Sequence, residues 1–270
     1  MQKIKLSIVM PGYKDPNAMK TIADILKNSQ LGDALEIIHV WDGFFPDFEI
    51  IQDPHVRYVH LGQNRGMRGA INAGVAVARG EFFMRLDEHC AFGPGFDKIL
   101  TDSCKENEVM TSKRFFLDPI NWEIMPDEPV EHEKLVIQNV SETVRKFAGK
   151  RDKNRDIEQK DAPVSEMTAM QGSMWIANTA FFRKTVGELQ TEGYGPLIQD
   201  SVEVCMKYWQ AGGRLMLNKN TWFAHKYRSF ARTHNNGTPD NSAKCENGYT
   251  YALSVWEKYY NQVIKPKYNL

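Results

Sequence analysis

The sequence predicts an α/β protein with a mostly parallel central sheet and flanking helices. Short apolar runs, which are typical of buried strands, alternate over the first hundred residues with segments whose apolar residues recur at helical spacing. A strand followed by a helix and another strand forms a βαβ unit, and successive units build a parallel sheet. In sheets of this kind, ligands bind beyond the carboxyl ends of the strands.

The same patterns locate the individual elements. The predicted strands are residues 4–10, 35–41, 56–61, 81–86 and 170–178, with one or two more over 214–228. The predicted helices are residues 15–30 and 66–80, the segment that carries Val202, Cys205, Met206 and Trp209, and the tail at 246–263. Residues 143–163 are charged and poor in large apolar residues, which predicts a mobile loop or a helix followed by a loop.

The composition is that of an ordinary globular protein. The 270 residues are 42% hydrophobic and carry a formal net charge of zero, so no overall field attracts nucleic acid or acidic lipid. No apolar run approaches the roughly 18 residues of a membrane span, and the N-terminal apolar run is too short for a signal peptide. The four widely spaced cysteines favour reduced thiols in a cytoplasmic protein.

The predicted strand at 81–86 ends on Asp87-Glu88-His89. In an extended segment residues two apart point the same way, so Asp87 and His89 converge while Glu88 points elsewhere. A carboxylate and an imidazole suit a borderline divalent ion such as Mn²⁺, which is able to hold a diphosphate. The alternative is a polar turn with a solvated histidine. The position at the end of a buried strand favours a metal site at this D-x-H motif.

Other candidates lie near the same edge of the sheet. Pro11 and Asp42 fall at predicted strand ends, which places them around the crevice of the D-x-H motif. Asp42 either accepts hydrogen bonds from a base or ribose or is a turn residue before a glycine. Residues 64–74 are rich in small residues, which indicates either a helix packed tightly on the sheet or close approach to a nucleotide, with Arg65 or Arg68 near phosphate.

Two carboxylates and a histidine in the second half have both structural and functional interpretations. Asp200 and Glu203 lie at the start of a predicted helix. In the structural interpretation they form a capping box, and Glu203 also pairs with Lys207. In the functional interpretation they are ionised catalytic groups. His225 follows an apolar strand and gains a role only if the sheet brings it to the D-x-H motif.

Taken together, these motifs resemble the family 2 type of GT-A glycosyltransferases. The matches in the first half are Pro11 and Tyr13, Asp42-Gly43, Asn64 and Gly66, Ala70, Asn72 and Gly74, and Asp87-x-His89. The second half resembles the polypeptide N-acetylgalactosaminyltransferases, which have a D-x-H motif. The matches there are Gly172, Asp200-x-x-Glu203, Trp209-Gln210-x-Gly212-Gly213 and His225-x-x-Arg228. The resemblance covers roughly residues 4–230.

The resemblance implies a GT-A fold with a catalytic domain at 1–230, divided into a nucleotide-sugar-binding half (1–112) and an acceptor half (113–230), and a C-terminal helical extension at 231–270. It implies Mn²⁺ or Mg²⁺ held by Asp87, His89 and His225. The donor-binding residues it implies are Pro11, Tyr13, Asp42, Asn64, Arg68 and Gly172, and the catalytic residues are Asp200, Glu203 and Arg228.

The chain also departs from the two family patterns. The double aspartate of family 2 is Trp41-Asp42 here, the arginine usual before the family's asparagine is Ile71, and the transferase E-x-x-E begins with Asp200. We expect no lectin domain, membrane anchor or disulfide set, and therefore no peptide glycosylation in a secretory compartment. The C-terminal part is similar to soluble phage-type family 2 enzymes, some of which modify DNA bases.

The expected activity is transfer of a sugar from a UDP-sugar to an acceptor hydroxyl. The D-x-H motif with His225 favours retention of configuration, and inversion with Asp200 as base stays open. The expected acceptor is a glycan or a modified DNA base. The basic residues within 145–160 and 219–234 are either ordinary solvated surface or a face that binds a polyanion such as DNA. The alternatives are a nucleotidyltransferase, whose Gly-rich loop is poorly matched by "PGYKDP", and a binding module with an inactive site.

Overall fold

The computed structural model describes residues 3–195, 197–226 and 242–270, and of residues 242–246 only the backbone. Its strands are β1 (Leu6–Gly12), β2 (Leu35–Asp42), β3 (Val56–Leu61), β4 (Phe82–Leu86), β5 (Cys90–Phe92), β6 (Glu108–Asp118), β7 (Glu123–Ile124), β8 (Glu133–Asn139), β9 (Arg145–Arg151), β10 (Val164–Glu166), β11 (Met174–Asn178) and β12 (Arg214–His225). Its helices are α1 (Ala18–Asn28), α2 (Gly66–Val77), α3 (Phe96–Ser103), α4 (Lys153–Glu158), α5 (Thr179–Thr185), α6 (Asp200–Gln210), α7 (Ser242–Tyr259) and α8 (Lys265–Tyr268). A 3₁₀ turn covers Gly32–Ala34, and a π-helical turn at Tyr260–Ile264 joins α7 to α8.

One large sheet runs through most of the chain. Its main path follows the order β10-β12-β6-β11-β4-β1-β2-β3. β4, β1, β2 and β3 are parallel neighbours, and β12 is parallel to β6. β11 runs antiparallel to both β4 and β6 and so joins the two parallel groups. The predicted α/β architecture with a mostly parallel sheet is confirmed.

Helices cover both faces of this sheet. On one face α2, α5, α6 and α7 enclose the larger core, in which Val9, Phe83 and Trp175 are fully buried. On the other face α1 and α3 enclose a second core that contains Ile8 and Met84. Successive strand residues point to opposite faces, so Phe83 and Met84 lie in different cores. Burial on both faces explains why the first strands are continuous apolar runs.

Residues 143–163 form a strand, a short helix and a turn, so the mobile-loop alternative was wrong and the predicted helix followed by a loop holds only for residues 153–163. Arg145–Arg151 forms β9, which pairs with β8 in a separate hairpin, and α4 follows it. Phe147 of β9 and Leu135 of β8 are buried in the larger core. Arg145 forms an ion pair with Glu257 of α7 at 2.7 Å. The hydrophobic pattern did not predict this strand because the segment is mostly charged. It is stabilised by one buried apolar residue, Phe147, and by pairing with β8.

The pattern also failed to predict β6, which lies between β11 and β12 in the sheet. Its residues Thr111 and Ser112 are polar but buried. The Thr111 hydroxyl donates a hydrogen bond to the Met174 carbonyl oxygen at 3.0 Å, which offsets the cost of burying it. Apolar periodicity does not detect a strand whose interior positions carry hydroxyl groups.

The C-terminal helices pack on the sheet. Trp256, Tyr260 and Ile264 are buried in the larger core. The Tyr260 hydroxyl donates to the Leu135 carbonyl oxygen at 2.6 Å, which ties this segment to the β8–β9 hairpin. The boundary expected between residues 112 and 113 falls inside β6, so the two halves share one sheet.

Two further features of the described residues bear on the sequence analysis. Cys90, Cys104 and Cys205 are buried free thiols, in line with the predicted reduced state, and the side chain of Cys245 lies outside the described part of the chain. Among the helices that the structure describes, none combines the length and apolar character that crossing a membrane requires.

Candidate active site

Three predicted site residues end neighbouring parallel strands at one edge of the sheet. Pro11 is the penultimate residue of β1, Asp42 is the last residue of β2, and Asp87 directly follows β4. β1 lies between β4 and β2 and is parallel to both. The structure therefore brings their carboxyl ends to one crevice, where the sequence placed them.

Asp87, His89 and His225 converge at this edge to form a cluster of possible metal ligands. One ligand atom from each residue lies within 4.8 Å of the other two. Nε2 of His225 is 3.1 Å from Oδ2 of Asp87, and Nε2 of His89 is 4.0 Å from the same oxygen. Both histidines are buried and Asp87 is half-buried. The structure thus joins the two predicted ligands of the D-x-H motif to a third from β12.

Contacts from β12 and α1 hold the backbone of the motif in place. His225 pairs in register with Cys90 of β5, the residue that follows His89. The Thr21 hydroxyl of α1 donates to the Glu88 carbonyl oxygen at 2.8 Å and accepts the Cys90 backbone N–H at 3.0 Å. The ligand side chains are therefore presented by a backbone that is fixed on both sides.

Asp15 orients the ring of His89, and the sequence analysis missed it. Its Oδ2 lies 2.9 Å from Nδ1 of His89, and its Oδ1 accepts both the backbone and the side-chain N–H of Asn17 at 2.9 Å. A histidine that donates from Nδ1 to a carboxylate keeps the lone pair of Nε2 for a metal. The available signal was a carboxylate two residues after Tyr13, at the end of the same strand.

The protonation states of the cluster suit a cation. Burial alone would raise the pKa of the Asp87 carboxyl, but the Arg85 guanidinium, the hydrogen bond from His225 and the nearby His89 ring hold that pKa well below its usual range. Burial lowers the pKa of His225, against the raising effect of Asp87. Near pH 7, Asp87 is therefore ionised and His225 is neutral, which are the states in which these groups bind metals.

We expect Asp15→Asn to weaken Mn²⁺ binding about tenfold to a hundredfold, because an amide holds the His89 ring less strongly than a carboxylate does. Titration of the protein with Mn²⁺, followed by the electron paramagnetic resonance signal of unbound Mn²⁺, measures the affinity. Asp33→Asn changes a highly exposed carboxylate and is the control. Equal affinities of Asp15→Asn and the wild type would remove this role from Asp15.

A buried chain of hydrogen bonds connects the D-x-H motif to β1 and β2. Oε1 of Glu88 lies 2.9 Å from Nε2 of His39, and the Trp41 indole N–H donates to Nδ1 of His39 at 3.2 Å. Because an indole nitrogen only donates, His39 carries a proton on Nε2 and donates it to Glu88. Oε2 of Glu88 accepts the Tyr13 backbone N–H at 2.9 Å. Glu88 thus points away from the metal cluster and holds the strand end that carries Tyr13.

Asp42 and Asn64 lie together where β2 ends and α2 begins. Oδ1 of Asp42 accepts the Arg65 backbone N–H at 2.6 Å, and the Asn64 side-chain amide donates to the Asp42 carbonyl oxygen at 3.2 Å. Gly43 between them has a φ of 74°, and a Cβ there would lie 2.1 Å from the Asn64 nitrogen. Only glycine fits this turn, which explains the Asp42-Gly43 motif.

Aromatic side chains form a partly exposed surface beside Asp42. The Tyr13 ring meets Phe44 edge-on with 5.9 Å between centroids, and Trp41 lies 6.5 Å from Phe45. Phe45 is 73% exposed and stacks on His60 at 3.8 Å. The motifs in the sequence did not predict this surface, although the two phenylalanines directly follow the Asp42-Gly43 motif.

Asp200 begins α6 and lies beside Gly172. A Cβ at Gly172 would lie only 3.2 Å from Oδ2 of Asp200, so the carboxylate occupies the space that a side chain would need. The capping-box interpretation was wrong, since the N-cap is Gln199, with a φ of 58° and no side-chain cap. Oδ2 of Asp200 is buried and has no hydrogen-bond partner among the described residues. This carboxylate is available to a ligand in a way that a capping residue is not.

A cavity of about 220 Å³ lies next to Gly172. Its walls come from the β8–β9 hairpin, the segment before β11 and the first turns of α6. The polar side chains among its lining residues are Glu133, Lys146, Gln171, Gln199 and Ser201. The cavity is therefore large enough for a small polar molecule, and its lining residues in the described part of the chain fall within the predicted acceptor half, residues 113–230.

Arg68 and Glu203 bind each other in the interior, away from the metal cluster. Both are almost completely buried, and Nη1 of Arg68 donates to Glu203. The other Arg68 donors reach the carbonyl oxygens of Ile198 and Gln190 at 2.7–3.0 Å, and Lys207 pairs with Glu203 at 2.7 Å, as predicted. Because these partners all lie within the protein, we propose that the pair has a structural role.

We expect Glu203→Ala to lower the free energy of unfolding by about 3–5 kcal/mol, because it leaves the buried Arg68 guanidinium without its counter-charge. Urea denaturation measures the change, and Glu142→Ala at an exposed position is the control. Unchanged stability together with a loss of turnover would instead assign Glu203 to the reaction, as the sequence analysis did.

Two other groups bear on the site. Arg228, the third predicted catalytic residue, lies outside the described residues. Glu131, His132 and Asp156 form a second set of possible ligands within the described chain. Both ring nitrogens of His132 are engaged, Nδ1 with Asp156 at 3.0 Å and Nε2 with the Ser165 hydroxyl at 2.8 Å. The cluster at the sheet edge is therefore the better candidate for a metal.

The fold and sequence of the chain match known proteins. The chain superposes on the crystal structure of GalNAc-T7 with UDP, GalNAc and Mn²⁺ with a TM-score of 0.74 and 16% sequence identity, over 98% of this chain and 51% of that one. The chain therefore spans about half the length of that protein, and the likeness confirms the GT-A fold. Comparison with curated proteins finds no similar sequence. The family model described as glycosyl transferase family 2 matches residues 7–150, from β1 through the D-x-H motif to β9, and the chain belongs to this family.

Proposed function

We propose that this protein is a metal-dependent glycosyltransferase that moves a sugar from a UDP-sugar to an acceptor hydroxyl, with retention of configuration. The observation that carries the proposal is the convergence of Asp87, His89 and His225 at the carboxyl edge of a family 2 sheet. Crystals of the similar GalNAc-T7 contain UDP, GalNAc and Mn²⁺, which supports this choice of donor and cation.

The donor atoms of the cluster fit Mn²⁺, with Mg²⁺ as the alternative. One ionised carboxylate and two imidazoles are ligands that a borderline cation accepts, whereas Mg²⁺ prefers oxygen ligands. Asp15 fixes the His89 ring in the ligating orientation. When bound there, the cation acts as a Lewis acid that stabilises the departing diphosphate.

The strand ends around the cluster provide the site for the nucleoside. Asp42 and Asn64 offer polar groups beyond β2, and the ring of Tyr13 and the exposed ring of Phe45 offer aromatic surface for a base. Glu88 holds the Tyr13 backbone at a fixed position relative to the metal ligands. This division assigns the base to the β1–β2 side of the crevice and the diphosphate to the cluster.

In the proposed reaction the bond between the sugar C1 and the phosphate oxygen breaks, and its electron pair leaves with UDP. A new bond forms between C1 and the acceptor oxygen, and the acceptor proton passes to an oxygen of the leaving diphosphate. Lys226, next to His225, adds positive charge near that oxygen. Asp200 then positions the sugar. In an inverting reaction Asp200 would take the acceptor proton instead.

We propose that the acceptor is a hydroxyl of a glycan or small sugar that enters through the cavity beside Gly172. The basic residues within 145–160, which a DNA acceptor would need, are partly engaged within the chain. Arg145 pairs with Glu257, Arg151 lies 3.4 Å from Asp156, and Nε of Arg155 donates to the Glu166 carbonyl oxygen. An acceptor screen with oligosaccharides and modified-base DNA tests this choice. Transfer to DNA that falls steeply with salt would overturn it.

Release of UDP tests the donor reaction. Purified protein is incubated with UDP-glucose, UDP-galactose, UDP-N-acetylglucosamine or UDP-N-acetylgalactosamine, in Mn²⁺ or in EDTA. We expect UDP release from at least one donor in Mn²⁺ and none in EDTA. Release of pyrophosphate from UTP would indicate a nucleotidyltransferase, and UDP binding without turnover would indicate a binding module.

A further inference from the structure

Arg85 is a buried cation inside an apolar strand, directly behind the candidate metal cluster. It occupies β4 between Met84 and Leu86, and its side chain is 2% exposed. The chain at this point reads as an apolar run, and the arginine is its one charged residue before Asp87. Placing a guanidinium there costs several kcal/mol unless its charge and donors find partners.

The partners that the described residues provide satisfy this guanidinium only in part. Nη1 lies 2.9 Å from Oδ1 of Asp87, which balances the charge, but no N–H of Nη1 points at a carboxylate oxygen with hydrogen-bond geometry. Nη2 contacts the sulfur of Met67, which is a weak acceptor. Nε and Nη1 are both buried without a hydrogen-bond partner among the described residues. Buried donors in this state call for an acceptor from a ligand or from water.

Asp200 approaches the unsatisfied donors of Arg85 from α6, and the space beside these two side chains is called the gap below. Nε of Arg85 lies 3.9 Å from Oδ2 of Asp200, which is too far for a direct hydrogen bond. This oxygen also has no hydrogen-bond partner among the described residues. An oxygen to one side of the line that joins the two atoms, at an ordinary hydrogen-bond distance from each, would satisfy both. It must accept from Arg85 and donate to Asp200, which a hydroxyl group does and a phosphate oxygen does not.

The surroundings of this gap lead from the metal cluster toward the cavity. Arg85 contacts Asp87 on one side and faces Asp200 on the other, and Asp200 lies against Gly172, which lines the cavity. A ligand whose diphosphate lies at Asp87 would therefore place its adjoining group near the gap. In a nucleotide-sugar the diphosphate joins the ribose, which we assign to the β1–β2 side of the crevice, to the transferred sugar, which then lies on the Asp200 side.

We propose that Arg85 and Asp200 together bind one hydroxyl group of the transferred sugar and so select the donor. The inference rests on the proposed function. Arg85 donates to the hydroxyl oxygen from Nε, and the hydroxyl donates to Oδ2 of Asp200. A buried site built to hydrogen-bond a hydroxyl discriminates strongly against an analogue that lacks it, because the polar groups are then left unpaired.

A donor-analogue cycle tests this assignment. Equilibrium binding in Mn²⁺ is measured by calorimetry for UDP, for the tightest-binding UDP-sugar, and for its analogues that each lack one hydroxyl. The variants are the wild type, Arg85→Lys, which keeps the charge beside Asp87 but removes the guanidinium donors, and Asp200→Asn. Arg214→Lys, at an arginine paired with Glu108 at the far end of β12, is the matched control. Circular dichroism verifies that each variant is folded.

We expect the wild type to bind one deoxy analogue roughly tenfold to a hundredfold more weakly than the complete UDP-sugar. Arg85→Lys should bind that analogue and the complete UDP-sugar with equal affinity. Asp200→Asn should lose the same discrimination, whereas UDP binding and the Arg214→Lys profile should match the wild type. Wild-type discrimination in both Arg85→Lys and Asp200→Asn, or an equal loss of UDP and UDP-sugar binding in Arg85→Lys, would overturn the inference. Absence of UDP and UDP-sugar binding by the wild type would overturn the proposed function itself, and the inference with it. If Arg85→Lys fails to fold, the Asp200→Asn profile decides.

Discussion

Replacement of Asp87 or His89 by alanine is expected to abolish sugar transfer and to remove the part of UDP binding that depends on Mn²⁺. Each change deletes one of the three proposed protein ligands, so we expect the cation to be bound more weakly and the diphosphate charge to be poorly balanced. UDP release from the best donor measures transfer, and calorimetry with and without Mn²⁺ measures binding. Metal-independent UDP binding should persist, because the proposed base site lies on the β1–β2 side of the crevice.

The control for these variants is His55→Ala, which removes a partly exposed histidine that pairs with Asp53 at the start of β3. Its transfer rate should match the wild type. Normal transfer by Asp87→Ala or His89→Ala, or full wild-type activity in EDTA, would show that the cluster does not hold a required metal.

Asp200→Asn is expected to lower turnover by about a hundredfold or more while the protein stays folded. Either role of Asp200 leads to this result, because the substitution removes a general base or the carboxylate that positions the sugar. Turnover per folded molecule is measured beside the melting temperature. A large drop in melting temperature with unchanged turnover would reduce Asp200 to a structural residue of α6.

Two measurements distinguish the two roles of Asp200: the anomeric configuration of the product and the affinity for the donor. Proton NMR of the glycoside gives its anomeric configuration, and the proposal predicts the configuration of the donor. If Asp200 positions the sugar, Asp200→Asn also weakens binding of the UDP-sugar relative to UDP. An inverted product together with unchanged donor binding would identify Asp200 as the base.

The fold could be predicted from the sequence where burial follows a simple period. β1, β2 and β4 are buried on both faces, and their apolar runs made them visible. β6 and β9 escaped prediction because Thr111 and Ser112 are buried polar residues and Phe147 is one anchor in a charged strand. Their order comes from partners that are distant in the chain, which a local pattern does not contain.

The candidate site could be predicted from the sequence only in part. The carboxyl ends of parallel strands share an edge, so topology alone placed Pro11, Asp42 and Asp87 together. His225 needed the family resemblance, because β12 brings it to the cluster from far along the chain. Asp15 and Arg85 act through side-chain contacts across elements, which residue spacing does not reveal. Arg68 and Glu203 were predicted as donor-binding and catalytic residues, and residue spacing did not reveal that they pair with each other.

The most direct test of the metal site is a crystal of the protein soaked with Mn²⁺ and UDP, measured at a wavelength where manganese scatters anomalously. We expect one anomalous peak about 2 Å from a carboxylate oxygen of Asp87 and from Nε2 of both His89 and His225, with diphosphate density beside it. A peak at Glu131, His132 and Asp156 instead, or UDP bound at the sheet edge with no peak near Asp87, would contradict the account.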